Sequence, residues 1–224
     1  MVSAENDPRR PGTIWALNLD WPAPTVTPLV LATFTRVGPE AADRLAAAMR
    51  LAEPAEVRRR FDTGRRCYTA WVEGELAAYG WISFEEEAIG ELRLRVHLLP
   101  GEAYLWDCAT VPAFRRRRLY TTLLTHMVGA LRVEGLCRVW IGADMENVAS
   151  QTGIARAGFK PVADLVVARA LALRLVWVSG RPGIPEQIVG EARRAFLGNR
   201  DQAWLSALSS ATRSQTQISS TSHD

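Results

Sequence analysis

The sequence predicts an α/β fold: a mixed, mostly antiparallel sheet of six to seven strands flanked by helices. Three observations predict it. Short apolar or alternating runs of strand length recur from Leu29 to Val178. Runs with apolar residues at helical spacing are interleaved with them. The stretch from Ala103 to Thr121 reads as a buried strand, a proline-marked turn, a basic loop and the start of a helix.

Residues 1–28 read as an irregular arm rich in Pro, Asn and Asp, whose Trp15 and Trp21 pack on their own domain or on a partner. Residues 29–180 form the main domain. Leu29 to Val37 is its first strand. Gly38-Pro39-Glu40 opens a helix with Ala42, Leu45, Ala46 and Met49 on one face, and Pro54 restarts a second helix carrying Val57 and Phe61. The run Arg58–Arg60 reads as the solvated face of that helix. Arg66–Val72 and Leu76–Phe84 make a hairpin turned by Glu73-Gly74-Glu75 and ended by Glu85, Glu86 and Glu87. Those acids are either surface groups or an attraction for a cationic amine.

Ile89–Leu99 alternates, with Leu92, Leu94, Val96 and Leu98 on one face. Pro100-Gly101 turns it into Tyr104–Val111, which predicts two antiparallel neighbours. Leu119, Leu123, Leu124, Met127, Val128 and Leu131 mark a helix, and Leu136–Ala143 a further strand. Pro161–Asp164 and Leu165–Val178 close the sheet. Arg169 and Arg174 do not share a face of one straight strand, which predicts a bend or bulge. Residues 181–208 hold two helices, Ile184–Leu197 and Asp201–Leu208; residues 209–224, dominated by Ser, Thr and Gln, are expected to be disordered.

The chain has 224 residues, a net charge of +3 and a single lysine, Lys160, among 27 basic residues. So small a net charge does not argue for a nucleic-acid protein, and nucleic-acid binding through the arginine runs is a third reading that no aromatic–basic platform supports; the arginine bias fits a GC-rich genome. Cys67, Cys108 and Cys137 lack ligand-like spacing, which predicts no metal site, no structural disulfide and a reducing cytoplasm. Met1–Gly12 lacks the apolar core of a signal peptide, and Leu165–Val178 is too short and too charged to span a membrane.

The chemistry of Ala103–Thr121 is anion binding. The first turn of a helix leaves backbone N–H groups unpaired at the positive end of the macrodipole. A loop entering that turn from a strand can wrap a phosphate, and Arg115, Arg116, Arg117 and Arg118 add forked donors. A solvated arginine face accounts for the same residues equally well.

These residues resemble the cofactor motif of the GNAT superfamily of acetyl-CoA-dependent N-acyltransferases. That motif is an apolar strand ending in Val-x-Pro, then Gln/Arg-x-x-Gly-x-Gly/Ala at a helix start. Val111-x-Pro is followed by Arg115 at the Gln/Arg position, Arg118 at the first Gly and Tyr120 at the Gly/Ala position. Both glycines of the variant Arg-Gly-Arg-Gly-Leu-Tyr are arginines here, Arg116 and Arg118. Downstream, Asn147-Val148-Ala149-Ser150 and Gly158-Phe159 resemble the family's second motif, with Ile154 where many members carry a tyrosine acid.

The resemblance implies a GNAT-like sheet with acetyl-CoA as co-substrate. It places the pyrophosphate on Arg116–Thr121, including Leu119, Tyr120 and Thr121, and the pantetheine on backbone near Ala109, Thr110 and Val111 and on Asn147, with Ser150 in the same motif. It implies direct attack by an amine in a ternary complex, with a small amine or a protein N-terminus as acceptor. The helical pair before Asp62 would cap the acceptor side. Asp107 is the candidate base, as an acid in a buried-looking strand that desolvation would raise; a satisfied buried carboxylate fits it as well. Relatives with Glu-Asp at this place match Asp107, while Trp106 replaces the Glu. Glu102 and His97 are weaker candidates. Tyr104 and Tyr120 are candidate acids, His126 a helix residue and Cys108 an inert thiol. A GNAT fold that binds acyl-CoA without efficient turnover, in a regulatory role, is the competing reading. No nucleic-acid or membrane partner is expected, and the apolar closing strands could build a homodimer.

Overall fold

The computed structural model describes residues 9–90, 94–170 and 173–198. Eight strands form one sheet in the order β10-β9-β1-β8-β7-β4-β3-β2. They are β1 (Arg9–Asn18), β2 (Thr33–Val37), β3 (Arg66–Val72), β4 (Glu75–Ser83), β7 (Glu102–Thr110), β8 (Arg138–Asp144), β9 (Lys160–Ala170) and β10 (Leu173–Gly180). A separate two-stranded sheet pairs β5 (Glu86–Ile89) with β6 (Leu94–His97). Only β7 and β8 are parallel; every other pair in the large sheet is antiparallel. The fold is α/β with a mixed, mostly antiparallel sheet, as the sequence predicts, with eight strands rather than six to seven.

The helices divide between the two faces. α1 (Ala42–Met49) buries Ala42, Leu45 and Ala46, and α2 (Pro54–Asp62) buries Val57, against Cys67, Tyr79 and Trp81. Pro54 stands in the first turn of α2, where its missing N–H costs nothing. α3 (Leu119–Val133) buries the predicted stripe Leu119, Leu123, Leu124, Met127, Val128 and Leu131 on the opposite face, where α4 (Val148–Arg156) adds Ile154. A helix over 186–198, α5, packs Ala192, Ala195 and Phe196 on Ile14, Tyr104 and Trp140. The expected helix Asp201–Leu208 and the tail 209–224 lie outside the described residues.

Four expectations are corrected. The arm is not irregular: Arg9–Asn18 is an interior strand between β8 and β9. Ile14 and Ala16 feed one core and Trp15 and Leu17 the other, so the strand is buried on both faces. The strand from Leu29 begins at Thr33. The alternating β6 pairs with β5, built partly from Glu86 and Glu87, and not with β7; β7 takes β4 and β8 as neighbours. The closing segment breaks into a hairpin, with Arg169 and Arg174 as cross-strand partners in place of a bend within one strand.

Candidate active site

The site begins where β7 and β8 part. Their parallel pairing covers Glu102–Leu105 against Arg138–Ile141 and then stops. Beyond it each strand follows its outer neighbour: Ala109 and Thr110 pair with Tyr79 and Ala78 of β4, while Gly142, Ala143 and Asp144 pair with β1. A wedge opens between them.

β7 carries a bulge at the same level. Ala109 opposes Tyr79 and Trp106 opposes Trp81, so Asp107 and Cys108 both stand against Gly80. Asp107 takes a left-handed φ of 44°, a conformation that Asp tolerates better than most residues. A Cβ on Gly80 would lie 2.8 Å from Cys108 Sγ, so a glycine is needed opposite the bulge.

The wedge continues into a groove of about 730 Å³, lined by Cys108, Ala109, Thr110, Tyr120, Asn147 and Ser150 and by the exposed Arg115, Arg116, Arg118 and Arg156. Thr110 Oγ1 is buried without a hydrogen-bond partner. An orphaned hydroxyl in a polar groove calls for a ligand donor or acceptor. Ala109, Thr110, Arg115, Arg116, Arg118, Leu119, Tyr120, Thr121, Asn147 and Ser150 all line the groove.

Two residues assigned to the cofactor from the motif lie elsewhere. Val111 packs toward the α1–α2 side, and its N–H donates to Ala77 O at 2.9 Å, so it is not free for pantetheine. The Arg117 guanidinium lies 5.4 Å from the Phe114 ring centre. Asn147 lines the groove, but its Oδ1 is the N-cap of α4, accepting from Ser150 N at 3.0 Å.

The loop adopts the glycine geometry without glycine. Arg116 and Arg118 have φ of 63° and 60°, in the left-handed region where a Cβ costs roughly 1–2 kcal/mol. Arg118 is also the N-cap of α3 and offers no side-chain cap. Backbone approach is preserved while two guanidiniums are added.

Tyr120, at the motif's small-residue position, leans into α4. Its hydroxyl and Ser150 Oγ share a hydrogen bond of 2.9 Å, and a Cβ on Gly153 would meet Tyr120 Cδ1 at 2.5 Å. The small residue that the first helix lacks is supplied by the second. Burial pushes the Tyr120 phenol up, as does the neighbouring Cys108. Burial likewise pushes the Cys108 thiol up to about 12, and the Asp107 charge adds to it. A thiol so disfavoured as thiolate is inert at neutral pH.

Asp107 is exposed, which corrects its reading as a carboxylate in a buried strand: the bulge turns its side chain out of the strand. Arg60 Nη1 donates to Asp107 Oδ2 at 2.6 Å, and the guanidinium lies over Trp106 at 4.7 Å and Trp81 at 5.3 Å. Arg60 is therefore bound and not part of a solvated face. Burial pushes the nearby Tyr79 phenol up to about 12, helped by the Asp107 charge.

The weaker candidates stand apart from the wedge. Glu102 opens β7 at its other end, where Arg194 and the Leu99 N–H satisfy it. His97 lies on β6, and His126 lies against Phe34 and Tyr68. Tyr104 packs on Phe196 across the sheet from the α3–α4 face. Ile154 is fully buried in the core. Residues without a sequence signal complete the site: Leu29 and Arg156 line the groove, and Arg60 reaches Asp107 from α2. Among the described residues no cluster of acidic, His and Cys side chains could hold a metal ion.

The fold is similar to that of several solved structures. A GNAT-family protein from Novosphingobium aromaticivorans superposes with a TM-score of 0.51 at 17% identity, over 70% of this chain and 62% of that one. An acetyltransferase of the GNAT family from Colwellia psychrerythraea gives 0.50 at 17%, over 77% and 56%. A GCN5-related N-acetyltransferase from Sphaerobacter thermophilus gives 0.52 at 15%, over 80% and 54%. The chain thus spans less than two thirds of each of these proteins. No curated protein matches it. The model of the acetyltransferase (GNAT) family matches residues 30–159, and the chain belongs to that family.

Proposed function

We propose that the chain transfers an acetyl group from acetyl-CoA to an amine by direct attack in a ternary complex. The observation that carries this reading is the orphaned Thr110 hydroxyl in a groove that four exposed arginines also line. The donor supplies an activated thioester. Thr110 Oγ1 orients the pantetheine arm, and the loop Arg115–Thr121 holds the pyrophosphate at the N-terminus of α3. Tyr120, kept protonated by burial, is the acid beside the groove and corresponds in role to the tyrosine that Ile154 replaces.

Asp107 accepts the amine proton, directly or through a water. It lies next to Cys108 and Ala109, which line the groove, and Arg60 fixes one of its oxygens. The acceptor, a small amine or a protein N-terminus, approaches from the α1–α2 side. A second reading, an acyl-CoA-binding protein with weak turnover, is favoured by that same Arg60 contact, which competes for the carboxylate.

Calorimetry with acetyl-CoA followed by an amine screen tests both. The acetyltransferase reading expects binding and turnover, with Asp107→Asn lowering kcat at least about a hundredfold at unchanged acetyl-CoA affinity. Binding without turnover of any amine supports the second reading. No binding at millimolar acetyl-CoA overturns both.

A further inference from the structure

Arg60 is a cation sitting in a built cation site. Its guanidinium lies 4.7 Å from the ring centre of Trp106 and 5.3 Å from that of Trp81, and its Nη1 donates to Asp107 Oδ2 at 2.6 Å. The two indoles are themselves neighbours, with ring centres 6.0 Å apart. An aromatic face carries the negative part of the ring quadrupole, and a carboxylate beside two such faces completes a site for one positive charge. Arg65 also approaches Trp106, at 5.8 Å, but the buried Glu87 meets its charge. With Arg60 taken out, the indoles and Asp107 hold one unanswered negative charge.

The guanidinium has a second resting place. Arg60 stands in the last turn of α2, and Glu56, one turn back on the same helix, already accepts from its Nη2 at 3.3 Å. Glu56 is half-exposed, so Arg60 can leave Asp107 and keep a carboxylate partner at the surface. Val57 in the core and Phe61 against Trp81 anchor α2 independently of that side chain.

We infer that Arg60 fills the acceptor position as a tethered cation, and that the acceptor is a primary alkylamine met as its ammonium ion, which displaces Arg60 from Asp107. An ammonium then replaces a guanidinium among the same three groups. An α-carboxylate on the acceptor would face Asp107 and the negative indole faces, so this site rejects amino acids. The assignment rests on the proposal that Asp107 receives the acceptor amine. It adds what the site selects and what holds it closed. A purely structural clasp between α2 and β7 would make the same contacts, but it predicts no gain in ligand affinity when Arg60 is removed.

The test is an NMR titration of the full chain without acetyl-CoA, following the indole N–H signals of Trp81 and Trp106. The probes are n-butylamine, norvaline (the same chain with an α-carboxylate) and n-butanol at neutral pH. Wild type is expected to bind n-butylamine in preference to the other two, with an affinity reduced by the fraction of molecules in which Arg60 fills the cage. Arg60→Gln empties the cage and should tighten n-butylamine about tenfold. Arg60→Lys keeps a tether, loses planar stacking and should tighten it about threefold. Neither change should improve norvaline or n-butanol, and adding Asp107→Asn to Arg60→Gln should remove the gain. The assignment is overturned if neither variant binds n-butylamine more tightly than wild type, or if norvaline gains as much. It is also overturned if neither variant folds, since Arg60 is then a structural clasp. Turnover is scored separately: tighter n-butylamine binding with no acetylation when acetyl-CoA is added supports the cation site and overturns the acetyltransferase reading.

Discussion

Arg60 Nη1 lies 2.6 Å from Asp107 Oδ2, and the same guanidinium covers Trp106 and Trp81. This contact ties α2 to β7 at the residue where β7 bulges. The Arg60 side chain is 16% exposed and that of Asp107 32%, so the pair is partly desolvated. Arg60→Ala is expected to cost about 2–4 kcal/mol, from two lost ring contacts and a carboxylate left beside indoles. Chemical denaturation measures it. A change near zero would mean that α2 is held by Val57 packing alone.

The cofactor loop makes the opposite prediction for stability and for binding. Arg116→Gly and Arg118→Gly each remove a left-handed arginine, and each should stabilise the fold by about 1 kcal/mol despite the freer unfolded chain. Each also removes a groove cation and should weaken acetyl-CoA severalfold, more at low salt than at high. A glycine variant that loses stability would show that the Arg side chain makes contacts that outweigh the strain.

Much of this loop was legible in the sequence because helix spacing, Pro112 and the arginine run are local features. What escaped depended on tertiary neighbours. β1 contains Pro11 and reads as an arm, since a strand buried on both faces shows no polar alternation. Its sheet partners, β8 and β9, lie more than a hundred residues away in sequence. The pairing of β6 with β5 rather than β7 is likewise a matter of which edge is free. Asp107 escaped because one bulge, set by Gly80 on another strand, reverses the direction its position implies. Arg60 lies in a charge run, and no local pattern distinguishes a bound arginine from solvated ones.

Tyr120 and Gly153 form a fitted pair. Gly153→Ala puts a methyl group 2.5 Å from the Tyr120 ring, and overpacking of this kind costs about 1–3 kcal/mol. The displaced ring should also disturb the Ser150 bond and the groove floor. Tyr120→Phe leaves the packing intact and removes only the hydroxyl. Its expected signature is a reduced kcat with acetyl-CoA affinity within about twofold of wild type. If Tyr120→Phe instead abolishes binding with normal turnover at saturation, Tyr120 positions the donor and is not the acid.

His126 gives the fold one pH-sensitive contact. His126 stays exposed, but partial desolvation beside the Phe34 and Tyr68 rings, both centred 5.8 Å away, holds its imidazole below the usual value of 6.5. The folded state therefore disfavours the proton, and the unfolded chain binds it more readily. This residue's contribution is complete above about pH 6.5 and declines as pH falls through the lowered folded value. Thermal melts at pH 7.5 and 5.5 should differ less in His126→Gln than in wild type. An equal difference in the two proteins would assign the acid sensitivity to other groups.

The N-terminal strand decides whether the sheet exists as one unit. β1 joins β8 to β9, and neither of those strands pairs with the other. Removing residues 1–18 strips Ile14 and Ala16 from the α5 core and Trp15 and Leu17 from the α3–α4 core. It also leaves β8 with an unpaired inner edge next to the wedge, and unpaired sheet edges favour aggregation. A truncation beginning at Leu19 should therefore lose cooperative unfolding by circular dichroism and aggregate, where an irregular arm could be removed at a cost of about 1 kcal/mol or less. The single change Ile14→Asp makes the same point within the full chain, since an unpaired carboxylate replaces a side chain that is 1% exposed. If the truncated chain still melts cooperatively and binds acetyl-CoA, β8 and β9 must be able to pair directly, and β1 would then be an inserted strand that the domain can fold without.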